Sequence, residues 1–262
     1  MTEVTRHEPG AFCWAELATT DSGAAKKFYM ALFDWGYEDA PAGPGMIYTT
    51  LKKGDKRAGA LYAMGPDQKG VPPHWNTYVS VASADRTAGK AKELGGKVLM
   101  EPFDVMDFGR MAIVEDQQGG RICLWEPKTH IGVDVINEPN SLCWAELDTT
   151  NTDSARRFYT ALFGWGAKVG GEAANQTEYT EWQLGGTSIG GMMKIPKEWG
   201  PVPPSWLIYF AVTDCDATVK KAGDLGGGTI VPPTDIPNAG RFAVLRDPQG
   251  AVFAVIKLTA SA

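Results

Sequence analysis

The chain has 262 residues, 44% of them hydrophobic and 21% charged, with a net charge of −6. Its size allows one or two domains, each with a buried core, and an acidic balance with no Lys/Arg cluster argues against nucleic acid or an anionic membrane as partner. No apolar run approaches the roughly 18 residues of a membrane-spanning helix, and the opening MTEVTRHEPG has no apolar signal core, so the expectation is a cytoplasmic protein.

In chain order, Phe12 to Ala18 reads as a strand, and Thr20 or Asp21 offers an N-cap. Ala24, Ala25, Phe28, Tyr29, Leu32 and Phe33 then fall at helical spacing, with Lys26 and Lys27 toward water. Trp35 to Glu38, Met46 to Leu51 and Arg57 to Ala63 read as strands, the last two joined by the turn Lys53-Gly54-Asp55. The unit β-α-β-β-β recurs: a strand Trp75 to Val81, a helix Ala84 to Leu94 ended by Gly95-Gly96, and strands Lys97 to Val105, Arg110 to Glu115 and Arg121 to Glu126. The connector Gly65 to Pro73 joins the two units, and about Pro127 to Asn140 links this half to the next.

The second half says nearly the same thing. Phe12 to Gly36 and Leu142 to Gly166 match at 15 of 25 positions at an offset of 130. At an offset of 131, Pro72-Pro73-His74-Trp75 answers Pro203-Pro204-Ser205-Trp206, and Asp116-Gln117-Gln118-Gly119 answers Asp247-Pro248-Gln249-Gly250. This period is too long for a solenoid repeat and reads as a duplicated domain, four βαβββ units in two pairs. The four cysteines form no CxxC pair and read as reduced, mostly buried thiols rather than zinc ligands or disulfides.

Four such units, carrying xWxEL, FYxxLFxW, a strand near PPxW, and DxQG before the last strand, resemble the vicinal oxygen chelate superfamily, the fold of glyoxalases, bleomycin-resistance proteins and extradiol dioxygenases, over residues 10–258. More narrowly, the chain is similar to tandem-domain actinobacterial proteins described as hydroxylases or antigen homologues, some from antibiotic biosynthesis clusters. The resemblance implies an α+β fold with two domains, 10–127 and 140–258, whose mixed sheets are concave.

Enzymes of that superfamily hold a divalent metal in the concave face, on the first and last strands of paired modules. Strand alternation sets Trp14 and Glu16 toward this cleft, with Cys13, Ala15 and Leu17 on the helix side. The family's ligand positions then fall on Glu16, Asn76 and Glu126, with Tyr78 on the face of Asn76, and Leu124 and Ile122 beside Glu126. Two carboxylates and an amide would hold magnesium or manganese rather than zinc or iron. The other reading has Glu16 and Glu126 as remnants, hydrogen-bonded to tyrosine or sharing a proton. In the second half the positions fall on Glu146, Leu207 and Lys257. A leucine cannot ligate and an ammonium repels a cation, so no metal is expected there, and Lys257 is set to pair with Glu146.

No nucleophile elbow, dinucleotide fingerprint or P-loop is present. Nine tryptophans are many for this length. Trp14 and Trp144 are set on the cleft faces with Tyr78 and Tyr209, Tyr179 and Trp182 line the second cleft, and Trp125 points away. Such walls suit a flat apolar ligand. The leading expectation is therefore non-catalytic binding of a hydrophobic aromatic small molecule, by resemblance an aromatic polyketide or antibiotic held for sequestration, self-resistance or delivery to an oxygenase, with no cofactor. Two rivals stand beside it: a glyoxalase-like lyase, isomerase or hydroxylase using Glu16 and Glu126, with or without a divalent metal in the first domain, and an interaction protein with no ligand.

Overall fold

A computed structural model describes residues 4–43, 45–170 and 178–259. The first half contributes strands β1 (Phe12–Thr19), β2 (Gly36–Gly43), β3 (Met46–Lys53), β4 (Lys56–Ala63), β5 (His74–Ser80), β6 (Lys97–Val105), β7 (Gly109–Glu115) and β8 (Arg121–Pro127), with helices α1 (Ser22–Phe33) and α2 (Ala84–Glu93). The second half repeats them as β9 (Ser141–Thr149), β10 (Gly166–Gly170), β11 (Tyr179–Leu184), β12 (Thr187–Lys194), β13 (Ser205–Ala211), β14 (Gly228–Ile236), β15 (Gly240–Arg246) and β16 (Val252–Leu258), with α3 (Thr152–Phe163) and α4 (Cys215–Asp224). Each half closes into one eight-stranded mixed sheet, ordered β2-β3-β4-β1-β5-β8-β7-β6 and β10-β11-β12-β9-β13-β16-β15-β14. The fold is α+β, four βαβββ modules in two tandem domains.

Local chemistry starts each helix in the same way. Asp21, Ser83, Asn151 and Asp214 are N-caps whose side-chain oxygens accept the N–H three residues on. α1 and α3 end on residues in the left-handed region, Asp34 and Gly164. Their apolar stripes do not bury against their own sheet alone. One core joins Phe28, Tyr29 and Phe33 of α1 to Phe210, Phe253 and Val255 of the second sheet. Its mirror joins Phe158, Tyr159 and Leu162 of α3 to Val79, Val114 and Leu124 of the first. All four helices therefore lie between the two sheets, and each sheet keeps a second, helix-free face turned outward.

The interface is pinned by polar contacts that repeat with the duplication. Tyr29 donates to Asp247 and Tyr159 to Asp116, each at 3.1 Å. Trp75 and Trp206 donate their indole N–H to these tyrosine oxygens at 3.1 and 3.2 Å. Trp35 reaches the Asn140 carbonyl and Trp165 the Gly10 carbonyl, at 2.9 and 2.7 Å. The FYxxLFxW and DxQG motifs are thus the two sides of one domain–domain contact.

Candidate functional site

β1 and β9 run through the middle of their sheets and carry the central carboxylates on the helix-free faces. Glu16 Oε1 accepts from Tyr48 at 2.7 Å and Oε2 from Tyr78 at 2.8 Å, and Asn76 is its register partner on β5. Trp14 donates its indole N–H to Tyr48 at 3.2 Å. The second domain repeats this network: Glu146 accepts from Tyr179 at 2.6 Å and Tyr209 at 2.9 Å, and Trp144 donates to Tyr179 at 3.0 Å. Burial pushes both carboxyls above the usual range, while the tyrosine hydrogen bonds pull the other way. Burial, with the nearby Glu16 or Glu146 charge, holds all four tyrosines in the phenol form.

Six expectations are corrected. Glu126 does not enter the cleft. β5 and β8 pair with Tyr78 opposite Cys123, and register partners share a face, so Cys123 and Trp125 lie with Tyr78 while Glu126 turns to the helix side. There it accepts the Ala84 N–H at 2.8 Å, an anion at the start of α2. Ile122 and Leu124 belong to the inter-domain core. Trp125 joins Trp14, Tyr78 and Cys123 in the cleft cluster. Lys257 lies opposite Ile256, which shares the face of Tyr209. It is exposed, its charge helps to lower the carboxyl of Asp216 at the start of α4, and both Glu146 oxygens are held by tyrosines instead. Trp182 is fully buried against Tyr159 and Trp165 in the inter-domain core. Tyr179 and Trp182 are three residues apart, and a strand sends such a pair to opposite faces. Cys13 joins the cleft cluster because a β-bulge between Phe12 and Trp14 resets the alternation.

The metal that this fold holds in enzymes needs convergent donors. Of Glu16, Asn76 and Glu126, only the first two meet, and both Glu16 oxygens are committed to hydroxyls. Among the described residues, no three of His, Cys, Asp and Glu gather as a metal-binding group. Glu146 has Leu207 as its register partner. The donor set does not fit a divalent cation in either domain, and the proposed acid/base pair Glu16/Glu126 is divided between two faces.

Sequence reasoning missed two residues. Asp148 lies two positions after Glu146 on the same face of β9. It is 8% exposed, its Oδ1 has no hydrogen-bond partner among the described residues, and burial, then the Glu146 charge, raises it to about 8. The signal was available, since Asp148 answers Ala18 directly after the matched run Cys-Trp-Ala-Glu-Leu. His130, in the inter-domain segment, sets its ring edge-on to Trp14 and Trp125, with centroids 4.7 and 5.9 Å away. Burial lowers it to about 4. With Val133 and Ile136 it covers part of the first helix-free face. Trp14 is 4% exposed and Cys13 fully buried, whereas Trp144 and Cys143 are half-buried.

Two tandem βαβββ pairs, each with a carboxylate on a central strand of an eight-stranded mixed sheet, define the class of glyoxalase-type folds. Residues 12–124 and 142–255 match the model of the Glyoxalase/Bleomycin resistance protein/Dioxygenase superfamily, and the chain belongs to that family. It is 42% identical over 259 residues to "Putative glyoxylase CFP32" of Mycobacterium tuberculosis (strain CDC 1551 / Oshkosh), covering 98% of each chain. It is 36% identical over 271 residues to the "Anthracycline biosynthesis protein DnrV" of Streptomyces peucetius, covering 97% of this chain and 96% of that one. Among solved structures, the 2,3-dioxygenase LapB from Pseudomonas sp. KL28 superposes with a TM-score of 0.64 at 14% identity, covering 96% of this chain and 93% of that one. The Mn(II)-bound glyoxalase from Novosphingobium aromaticivorans gives 0.63 at 14% identity, with 95% and 82% covered. These two likenesses speak to the fold alone. No helix among the described residues is long and apolar enough to cross a membrane.

Proposed function

We propose that the protein binds a flat, largely apolar small molecule on a helix-free face without transforming it. One observation carries this reading: the central carboxylate of each domain has both oxygens tied to tyrosine hydroxyls, so neither is free to ligate a cation or to take a proton from a substrate. Around these knots the walls are apolar and aromatic. In the second domain they are Trp144, Leu207, Tyr209, Val231, Phe242 and Ile256, and this is the more open of the two faces. Rings on such a wall contribute about 0.5–1.5 kcal/mol each beyond area burial. The relative named for anthracycline biosynthesis supports a polycyclic aromatic ligand, and a carrier, sequestering or self-resistance role follows from binding without turnover.

The test is a titration of the full chain with a panel of planar aromatics, followed by tryptophan fluorescence with and without a chelator, alongside metal analysis of the purified protein. Saturable quenching indifferent to chelator supports the reading. A stoichiometric cation whose removal abolishes turnover of a glyoxalase-type substrate overturns it.

A further inference from the structure

The duplication leaves one place where the two domains hold different things. In the first domain β1 and β4 pair only from Glu16 and Ala60 onward, and ahead of that point β1 carries the Cys13 bulge in its pairing with β5. The inter-domain segment enters the gap as a short extended stretch. Val133 N–H donates to the Cys13 carbonyl at 2.8 Å and Asp134 N–H to the Arg57 carbonyl at 2.9 Å. Arg57 answers with its backbone N–H and its guanidinium on the Asp134 carboxylate, at 2.9, 2.8 and 2.6 Å. His7 Nε2 meets the Val133 carbonyl at 2.9 Å, and Val133 is fully buried. Gly132 has a φ of +118°, and a Cβ there would overlap the Cys13 carbonyl oxygen, so the stretch requires glycine before its apolar residue.

In the second domain β9 and β12 likewise pair only from Glu146 and Gly191 onward, behind the matching bulge. Here a cavity of about 250 Å3 lies at the gap, closed on one side by His7, Ala11 and Phe12 of the first half. Its walls include Cys143, Ser188 and Asn137, the counterparts of Cys13, Arg57 and His7, together with Trp144, Ile136 and Leu142. The backbone edge that receives Val133 and Asp134 in one domain is therefore repeated at an open cavity in the other.

We propose that this second-domain cavity receives from a partner what the linker supplies to the first domain from within: an extended peptide segment in which glycine precedes a β-branched apolar residue. Strand addition of this kind draws affinity from main-chain hydrogen bonds and specificity from the side-chain pocket. The acceptors are the Cys143 and Ser188 carbonyls, and the Asn137 amide stands where His7 meets the incoming carbonyl. The residue after the apolar one is neutral. Ser188 replaces Arg57 and donates to Glu181 at 2.5 Å, so an acidic side chain would meet a carboxylate rather than a guanidinium. This inference stands apart from the small-molecule reading and does not rest on it.

Calorimetry on the full chain tests it with three forms of the hexapeptide His130 to Val135: unchanged, carrying Asp134→Ser, and carrying both Asp134→Ser and Gly132→Ala. The singly substituted peptide binds once per chain, the unchanged peptide binds about tenfold more weakly, and the doubly substituted peptide does not bind. In a Ser188→Arg chain the order of the first two reverses by about the same factor, which places the site in the second domain. Absence of binding by any peptide, tolerance of Gly132→Ala, or an unchanged order in Ser188→Arg overturns the proposal. Filling of the cavity by a planar aromatic when no peptide binds also overturns it, in favour of a small-molecule occupant. The Gly132→Ala arm uses the unaltered protein, so the proposal stays falsifiable even where Ser188→Arg does not fold.

Discussion

Tyr29 of the first domain donates its hydroxyl proton to Asp247 of the second, across 3.1 Å, and the same oxygen accepts the indole N–H of Trp75. Asp247 is in turn the hub of its turn, accepting the N–H groups of Gln249, Gly250 and Ala251. Tyr29→Phe would strand a buried indole donor and remove one partner of a buried carboxyl. Each unsatisfied buried group costs about 1–3 kcal/mol, so the substitution lowers stability by that order. Tyr159→Phe acts alike at Asp116, and the two effects add because the sites share no partner. Urea denaturation of the full chain measures both. An unchanged midpoint would mean that the tyrosine bond contributes nothing to domain docking.

Glu16→Gln separates a structural carboxyl from a functional one. The amide offers one acceptor and one donor to Tyr48 and Tyr78, so one hydroxyl must turn round and accept, at a cost of about 1 kcal/mol. Glu16→Ala leaves both hydroxyls without a partner beside a void and costs about 3 kcal/mol or more. If Glu16 only braces the wall, aromatic ligand affinity in Glu16→Gln stays within about threefold of the unaltered chain, or about 0.6 kcal/mol. A drop of a hundredfold or so with the fold intact would make Glu16 a direct ligand contact.

The duplication, the helix stripes and the succession of strands and helices along the chain were legible because they are short-range patterns or internal repeats. Ala15 and Leu17 do face the helices as alternation from Trp14 and Glu16 requires. What failed was phase. A single bulged residue at Cys13 and the unread registers between Tyr78 and Cys123 and between Tyr209 and Ala254 sent Cys13, Trp125, Glu126 and Lys257 to faces opposite those expected. A period-two pattern gives the same local signal in either phase, and only pairing with a distant strand selects one. Trp182 failed for the same reason, its strand position being fixed against Gly190. The linker's descent onto Trp14 had no local signature at all, because nothing near His130 marks a segment that will fill a sheet face 116 residues upstream.

Asp148 makes stability depend on pH in a direction opposite to most surface carboxyls. Its folded value is raised to about 8 from an ordinary 3.8. Below about pH 4 it is protonated in both states and contributes no difference. As pH rises toward 8 the unfolded chain ionises while the folded chain must hold the proton, so the fold loses stability across that window. The full span would exceed 5 kcal/mol at about 1.36 kcal/mol for each unit, and incomplete burial reduces it to about 2–4 kcal/mol. Asp148→Asn therefore stabilises the chain by that order at pH 8 and by little at pH 4. Denaturant midpoints at pH 4, 6 and 8 give the slope. A parallel response of the two proteins would show that Asp148 ionises freely in the folded state.

His130 works on the acid side. Burial, then the Arg57 charge, lowers it from 6.5 to about 4, and its Nδ1 accepts the Gly132 N–H at 3.1 Å, a bond that an imidazolium cannot keep. Above pH 6.5 the ring is neutral in both states and stability does not depend on it. Between 6.5 and 4 the unfolded chain binds a proton that the folded chain refuses, so stability falls as pH falls and levels off below 4. The loss is about 2–3 kcal/mol after allowance for partial exposure. His130→Phe keeps a ring edge-on to Trp14 but cannot titrate. It should flatten this limb at a cost of about 1 kcal/mol for the lost Gly132 bond at neutral pH. Part of the slope persists through His7, which burial also lowers. Thermal melts across pH 4 to 7 compare the two chains, and an acid limb equally steep in His130→Phe would assign the loss to other groups.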